Sequence, residues 1–296
     1  MVAEHGRAAF LFTVLHLTRQ QPNSSKLNRL ALPAAPARKQ EYLQMVDLIT
    51  VRNIPITRSL PAECSGTVER AGYFLLKRLL DIFVSFGLLL LFSPLFLLIS
   101  LLIRIDSPGP AIYSQKRVGC RHSWKGKTLH KEVRQFTFFK FRTMYQNSDD
   151  SIHRQFIHAY IHNDLEGMAR LQKGTVEQGN EFKLNGDPRI TRVGRILRKT
   201  SMDELPQFWN VLTGDMSLVG PRPAIPYEVE MYEPWHMTRL STRPGLTGLW
   251  QVTARNSASF DDLVRIDLEY IEKQSFWLDL KILFMTPLAI FDRRGK

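Results

Sequence analysis

With 296 residues, 44% of them hydrophobic, the chain can fold around a sizeable core, which excludes a wholly disordered protein. Its 40 Lys and Arg against 28 Asp and Glu give a formal charge of +12, and such a balance implies an anionic partner: nucleic acid, anionic lipid or a phosphorylated substrate. Only Cys64 and Cys120 are present, without a CxxC pair or metal-ligand spacing, so neither a disulfide framework nor a zinc centre is supported and a reducing compartment fits best.

Residues 8–17 (AAFLFTVLHL) have the length of a signal-peptide core, but His16 interrupts them and no small-residue cleavage site follows closely. Residues 18–40 are rich in Pro, Ala, Ser and Gln, a composition that suits a linker or tail. Residues 1–72 are therefore read as an N-terminal extension, partly disordered, without an assigned fold.

From Ile82 to Ile103 the sequence runs 22 residues without a charge. At about 1.5 Å per residue that length crosses a hydrocarbon core of about 30 Å. Ser93-Pro94 falls near its middle, where proline removes a backbone donor and clashes with the preceding turn, so a kink is expected and each arm is too short to span. Lys77 and Arg78 precede the segment; Arg104, Lys116, Arg117 and Arg121 follow it. Since positive flanks stay on the cytoplasmic side, the pattern favours a helix that enters and returns, with a kinked single span as the other reading.

Between Arg104 and Arg142 ten cations face only Asp106 and Glu132. Such a run attracts anionic headgroups or phosphates, or else is a solvated basic loop. After the break at Ser107-Pro108-Gly109-Pro110, residues 111–116 and 136–142 read as strands, and a hairpin of the two would hold Lys140 and Arg142 against a pocket. Residues 149–171 place Ile152, Phe156, Ile157, Tyr160 and Leu165 at helical spacing, which predicts one amphipathic helix. His158 and His162 share a face of it, but with no third ligand a solvated surface outweighs a metal site. Asp187-Pro188 marks a turn, and Lys183, Arg189, Arg192, Arg195, Arg198 and Lys199 form a second basic cluster around it.

That cluster runs into residues 200–210, TSMDELPQFWN. By spacing, Asp203 caps a following helix, Pro206 falls in its first turn, Gly214 stops it, and Ser201 with Glu204 fits a capping box. By company, two carboxylates at a helix start among arginines are held ionised and can serve as a nucleophile or as the protein share of a magnesium site. Gly220-Pro221-Arg222-Pro223 and Arg243-Pro244-Gly245 add two guanidinium groups beside prolines that lock φ, a means of aiming them at phosphate. Residues 276–291 (FWLDLKILFMTPLAIF) are too polar to span, and suit either an interfacial helix or a buried C-terminal one.

KRLLDIFVS at 77–85, Ser93-Pro94, QKRVG at 115–119, KFRTM at 140–144, the run from Asp187 to Pro223, RPGLTGLWQV at 243–252 and WLDLKIL at 277–283 stand in an order that closely resembles the bacterial sugar transferases, the polyprenyl-phosphate hexose-1-phosphate transferases. The likeness covers about residues 73–292. It implies an α+β monotopic membrane protein: a re-entrant helix over 73–106 broken at Ser93 and Pro94, then a mainly helical catalytic domain over 107–296 with a small β-hairpin and interfacial helices. It also implies the cytoplasmic face of a bacterial inner membrane, a UDP-sugar donor, with a lean toward glucose or galactose, an undecaprenyl phosphate acceptor and release of UMP. Carried over residue by residue, Asp203 is the nucleophile, Glu204 the ligand of Mg2+, and Arg198 the phosphate-binding arginine, while Lys140, Arg222 and Arg243 match basic motif positions.

Two departures are expected to matter. Larger members carry several spanning helices before this region, which residues 1–72 cannot supply. The link from Gly119 to Lys140 is also longer than usual, so an insertion over about 120–139 puts the local hairpin in doubt. Membrane lipid is an expected partner and nucleic acid is not; a homodimer is left open. The reading from another class, a non-catalytic basic adaptor that binds anionic lipid or nucleic acid, leaves Asp203, Glu204 and the Arg-Pro motifs without a purpose.

Overall fold

The protein's computed structural model describes residues 58–59, 71–125, 128–172, 187–253 and 259–292. The signal-like stretch, the linker composition and Lys183 lie outside them. Helices dominate: α1 (Ala71–Leu91), α2 (Ser93–Asp106), α3 (Ser151–Ile161), α4 (Leu165–Gln172), α5 (Arg192–Thr200), α6 (Gln207–Thr213), α7 (Pro226–Val229), α8 (Leu249–Thr253), α9 (Phe260–Lys273) and α10 (Phe276–Asp292). Strands β1 (Arg58–Ser59), β2 (Ile112–Lys125) and β3 (Thr128–Phe141) form one antiparallel sheet in the order β1-β3-β2, and β4 (Ser217–Val219) pairs in parallel with β5 (Gly245–Thr247). This is the expected α+β mixture.

No single helix among the described residues is long and apolar enough to cross a membrane, but α1 and α2 meet that test together and are bent by 61° where they join. Pro94 explains the bend, because it cannot donate to the Leu90 carbonyl one turn back. Ser93 Oγ donates to that carbonyl instead, at 2.8 Å. Helix α1 also inverts the usual amphipathic arrangement. Lys77, Asp81 and Ser85, each four residues from the next, are buried, while Leu75, Leu79, Phe83, Phe86 and Leu90 are exposed.

Most of the polar stripe of α1 is engaged by the rest of the fold, although Ser85 Oγ and one oxygen of Asp81 are buried without a hydrogen-bond partner among the described residues. Lys77 Nζ pairs with Asp279 of α10 at 2.7 Å and donates to the Val219 carbonyl at 2.9 Å. Asp81 accepts from Leu218 N at 2.9 Å and Ser217 Oγ at 3.1 Å. Arg78 donates to the carbonyls of Val211 and Leu212 at 2.7 and 2.8 Å, which closes the C-terminal end of α6. A helix so held cannot turn its charges outward, and its exposed leucines and phenylalanines remain an apolar surface.

The hairpin forms, and the inserted residues lengthen it: the register runs unbroken from the Ile112–Phe141 pair to Lys125–Thr128. Arg142 does not face a pocket. It is buried, and its guanidinium donates to the carbonyls of Pro108, Ser107 and Ile103 at the end of α2. The helix expected over 149–171 is two. Asn163 takes a left-handed φ of 54°, and Asp164 Oδ1 accepts from Gly167 N at 2.9 Å, so that a new helix starts at Leu165. His158 and His162 stack on its exposed side with ring centroids 4.3 Å apart. Helix α10 divides its faces: Asp279 is buried in the Lys77 pair, whereas Trp277, Phe284 and Leu288 are exposed.

Candidate active site

Helix α5 begins on a real cap. Thr191 Oγ1 accepts from Gly194 N at 3.0 Å, and Asp106, the last residue of α2, accepts from Val193 N at 2.9 Å. Leu197 on its inner face joins Ile99, Ile103, Ala111 and Phe141 in a buried cluster. The bent pair therefore fixes both the start and the underside of α5. At its other end Ser201 adopts a left-handed φ of 57°, and a 3₁₀ turn, Met202–Glu204, follows.

This turn carries the carboxylate pair. Met202 and Leu205 pack toward the same Ile99–Ile103 cluster, so the backbone is pinned while Asp203 and Glu204 stay half-buried and reachable. Asp203 is not a helix cap: Pro206 occupies the N-cap of α6, with no side-chain cap bond, and the Ser201–Glu204 capping box does not form. The left-handed Ser201 diverts the chain before a continuous cap can be built. Gly214 does stop α6, at φ 88°.

Around the turn the electrostatics are cationic. Lys140 of β3 lies in the field of Arg117, Arg198, Asp203 and Arg222; burial, then Arg117 and Arg198, push its ammonium down to about 8. Its Nζ also stands 5.2 Å from the Tyr113 ring centroid. Arg198 is held by Thr143, Nε donating to Oγ1 at 2.9 Å, and feels Asp203 and Asp187. Arg117 is buried, donates to the Pro223 carbonyl at 3.1 Å, and is lowered to about 10 by burial and by Arg222. The fold thus gathers Asp203, Lys140, Arg198 and Arg222 into one neighbourhood.

Arg243 does not join them. Its Nη2 donates to the His122 carbonyl at 3.2 Å, and its charged neighbours are Arg78, Asp81 and Arg121. Conversely, two members of the neighbourhood were not singled out by sequence. His153 of α3 contacts the Tyr227 hydroxyl through Nδ1 at 2.8 Å, and burial with Arg189, Arg117 and Arg222 pushes its imidazole down to about 4, so it is neutral near pH 7. Nothing in the local pattern of α3 marks His153; only the long-range packing does. Arg117 was visible as part of QKRVG but was read there as a flanking charge.

The glycines of the motifs explain how distant segments meet. A Cβ on Gly220 would strike the Arg243 carbonyl, and one on Gly245 would strike Gly220 N, so β4 and β5 approach only with glycine at both. A Cβ on Gly194 would strike the Thr143 carbonyl, so α5 reaches KFRTM for the same reason. A shallow hollow lies beside Arg222, bounded by Tyr160, Glu228, Trp250 and Phe260.

Two adjacent half-buried carboxylates, with Asp203 in the field of Lys140 and Arg198, fit the coordination habit of magnesium, which takes one or two protein carboxylates and completes its shell with water and substrate phosphate. No group of three or more Cys, His, Asp or Glu that could hold a metal ion occurs among the described residues.

The comparisons agree with this geometry. The chain is 41% identical over 231 residues to the undecaprenyl-phosphate galactose phosphotransferase of Salmonella typhimurium, covering 78% of this chain and 43% of that protein. It is 38% identical over 237 residues to the exopolysaccharide production protein ExoY of Rhizobium meliloti, covering 80% and 93%. To the UDP-glucose:undecaprenyl-phosphate glucose-1-phosphate transferase of Caulobacter vibrioides it is 38% identical over 240 residues, covering 78% and 76%. The chain spans less than half the length of several of its curated relatives. The model of the bacterial sugar transferase family matches residues 72–293, three quarters of the chain and every element that builds the site, and the chain belongs to that family.

Proposed function

We propose that this chain transfers a sugar 1-phosphate from a UDP-sugar to undecaprenyl phosphate, releasing UMP, at the cytoplasmic face of a bacterial inner membrane, as the first step of an exopolysaccharide or O-antigen type of glycan. The observation that carries the reading is the 3₁₀ turn Met202–Glu204: two reachable carboxylates on a backbone pinned to α2, with Asp203 in the field of Lys140 and Arg198.

In the first displacement a carboxylate oxygen of Asp203 attacks the phosphorus that bears the sugar. The bond from that phosphorus to the bridging oxygen breaks, and the electron pair leaves with UMP. In the second, a phosphate oxygen of the acceptor attacks the same phosphorus and the carboxylate departs, leaving sugar diphosphate on the lipid. Splitting one displacement into two is what a covalent nucleophile contributes. Lys140, Arg198 and Arg222 offset charge on the transferring group, and cations already fixed in place need little rearrangement as that charge moves. Glu204 would hold Mg2+, with Asp203 beside it. When bound, that ion neutralises the diphosphate and favours departure of UMP.

Several features support a membrane location. The outer face of α1 and α2 is apolar, and Ile196 and Trp209, on the helices either side of the carboxylate turn, are 64% and 53% exposed. A turn at that height lets an insoluble acceptor stay in lipid while a soluble donor arrives from water.

The test is a nucleotide-release assay on detergent-solubilised protein with undecaprenyl phosphate and a panel of UDP-sugars. Magnesium-dependent UMP is expected with at least one donor, and Asp203→Asn is expected to abolish it. Release of UDP, or near-normal turnover by Asp203→Asn, contradicts the mechanism. Salt-sensitive nucleic-acid binding with no UMP from any donor would instead identify a basic adaptor.

A further inference from the structure

The hairpin touches the bent helix pair at two places. At one, Arg142 holds the carbonyls of Ile103 and Ser107 where α2 ends, and the Phe141 ring lies 5.2 Å from that of Phe96. At the other, His122 stands edge-on to Phe74 at the start of α1, centroids 5.2 Å apart and planes at 88°, and Lys131 Nζ lies 6.0 Å from the same ring. In the ladder these are the Ile112–Phe141 and His122–Lys131 pairs, so about ten residues of β2 separate them. The end of α2 and the start of α1 are the two points at which a re-entrant pair meets the boundary of water and lipid. A ladder fixed at both runs along that boundary, and its far end stays at headgroup height.

That far end is the inserted part, and its charge is one-sided. Over residues 121–134 Arg121, Lys125, Lys127, Lys131 and Arg134 stand against Glu132, five cations to one carboxylate. Arg134 is engaged by Asp215; Arg121 is exposed, directly across the ladder from Glu132, and Lys131, on the other face, is half-buried at the Phe74 ring. None of these residues belongs to the Asp203 neighbourhood, so the catalytic reading does not account for them.

We propose that the far end of the hairpin is a second membrane contact, at which Arg121 and Lys131 take the phosphates of anionic phospholipid headgroups. The proposal rests on the re-entrant reading of α1 and α2. It adds to that apolar anchor an electrostatic one, which acts over the screening length of about 8 Å in physiological salt and fixes the rotation of the domain on the surface.

The experiment uses the full chain in lipid nanodiscs, carrying Cys64→Ser, with Cys120 buried and an environment-sensitive fluorophore at Ser123→Cys. Emission is expected to move to shorter wavelength in discs containing phosphatidylglycerol relative to phosphatidylcholine alone. That shift is expected to disappear at high salt and in the Arg121→Glu/Lys131→Glu variant, whose UMP release in detergent should match the parent and so report an intact fold. Identical spectra in the two lipids, or a charge-reversed variant that keeps the shift, overturn the proposal. A second label at Leu90→Cys reads the anchor separately. Hydrocarbon-like emission there in both lipids upholds the re-entrant reading whatever the hairpin does, and water-like emission removes that reading and the proposal with it.

Discussion

Lys140 is where the chemistry of a single side chain becomes measurable. Its ammonium is pushed down to about 8 by burial and by Arg117 and Arg198, so in the free enzyme it is charged below that pH and loses its proton above it. If the charge is needed to receive the donor's phosphates, kcat/KM falls as pH rises through about 8, because that ratio reports ionisations of the free enzyme. Lys140→Arg should move the falling limb well above pH 8, since a guanidinium stays protonated there, at some loss of rate from the altered geometry. A limb unchanged by Lys140→Arg would assign it to another group. Arg243 tests the opposite expectation. Resemblance placed it among the phosphate cations, yet its contacts are with His122, Asp81 and Arg78. Arg243→Ala should therefore lower stability more than it raises KM, read by thermal unfolding beside donor titration.

The same contrast shows what could be read from residues alone. Ser93-Pro94 announced its break because the cause, a missing donor, is local. Gly214 announced its stop for a similar reason, since a left-handed terminus suits glycine. Asp203 as a cap was misread because the deciding event is the left-handed Ser201, which no propensity marks. His153 was missed because its meaning comes from Tyr227, 74 residues away.

At the scale of elements, the anchor and the catalytic part are coupled by buried charge. Lys77 and Asp279 form an ion pair with both side chains under 10% exposed, joining α1 to α10 across 202 residues. Removing one partner leaves an uncompensated buried charge, so Lys77→Ala should destabilise the protein by about 3–5 kcal/mol. The double variant Lys77→Met/Asp279→Leu should lose far less than the sum of the two single changes, measured by denaturation in detergent. Additive losses would mean that the pair is not energetically linked. Sequence gave each half of this contact, KRLLD and WLDLKIL, but not that they meet, because pairing over such a separation leaves no periodic trace. The hairpin teaches the reverse: residues 120–139 read as an insertion that put the hairpin in doubt, yet the two strands stay in register from end to end.

For the whole molecule, the re-entrant proposal takes the apolar stripe of α1 and α2 as the part that meets lipid, and Trp277, Phe284 and Leu288 of α10 are exposed apolar side chains as well. Re-entry predicts that positions before Lys77 and after Arg104 are labelled by a membrane-impermeant thiol reagent from the cytoplasmic side alone; one flank labelled from the periplasm would make the pair a kinked span. The positive flanks on both sides are the sequence feature that argues for this topology, and the labelling decides it. The sugar was not legible, since no local pattern of side chains in the sequence distinguishes one hexose from another. The most direct measurement is the intact mass of the protein after exposure to its UDP-sugar with no acceptor present. The account predicts a gain of one phosphosugar, absent in Asp203→Asn and discharged by undecaprenyl phosphate. Steady acceptor-dependent UMP release by a protein that never gains that mass would contradict it.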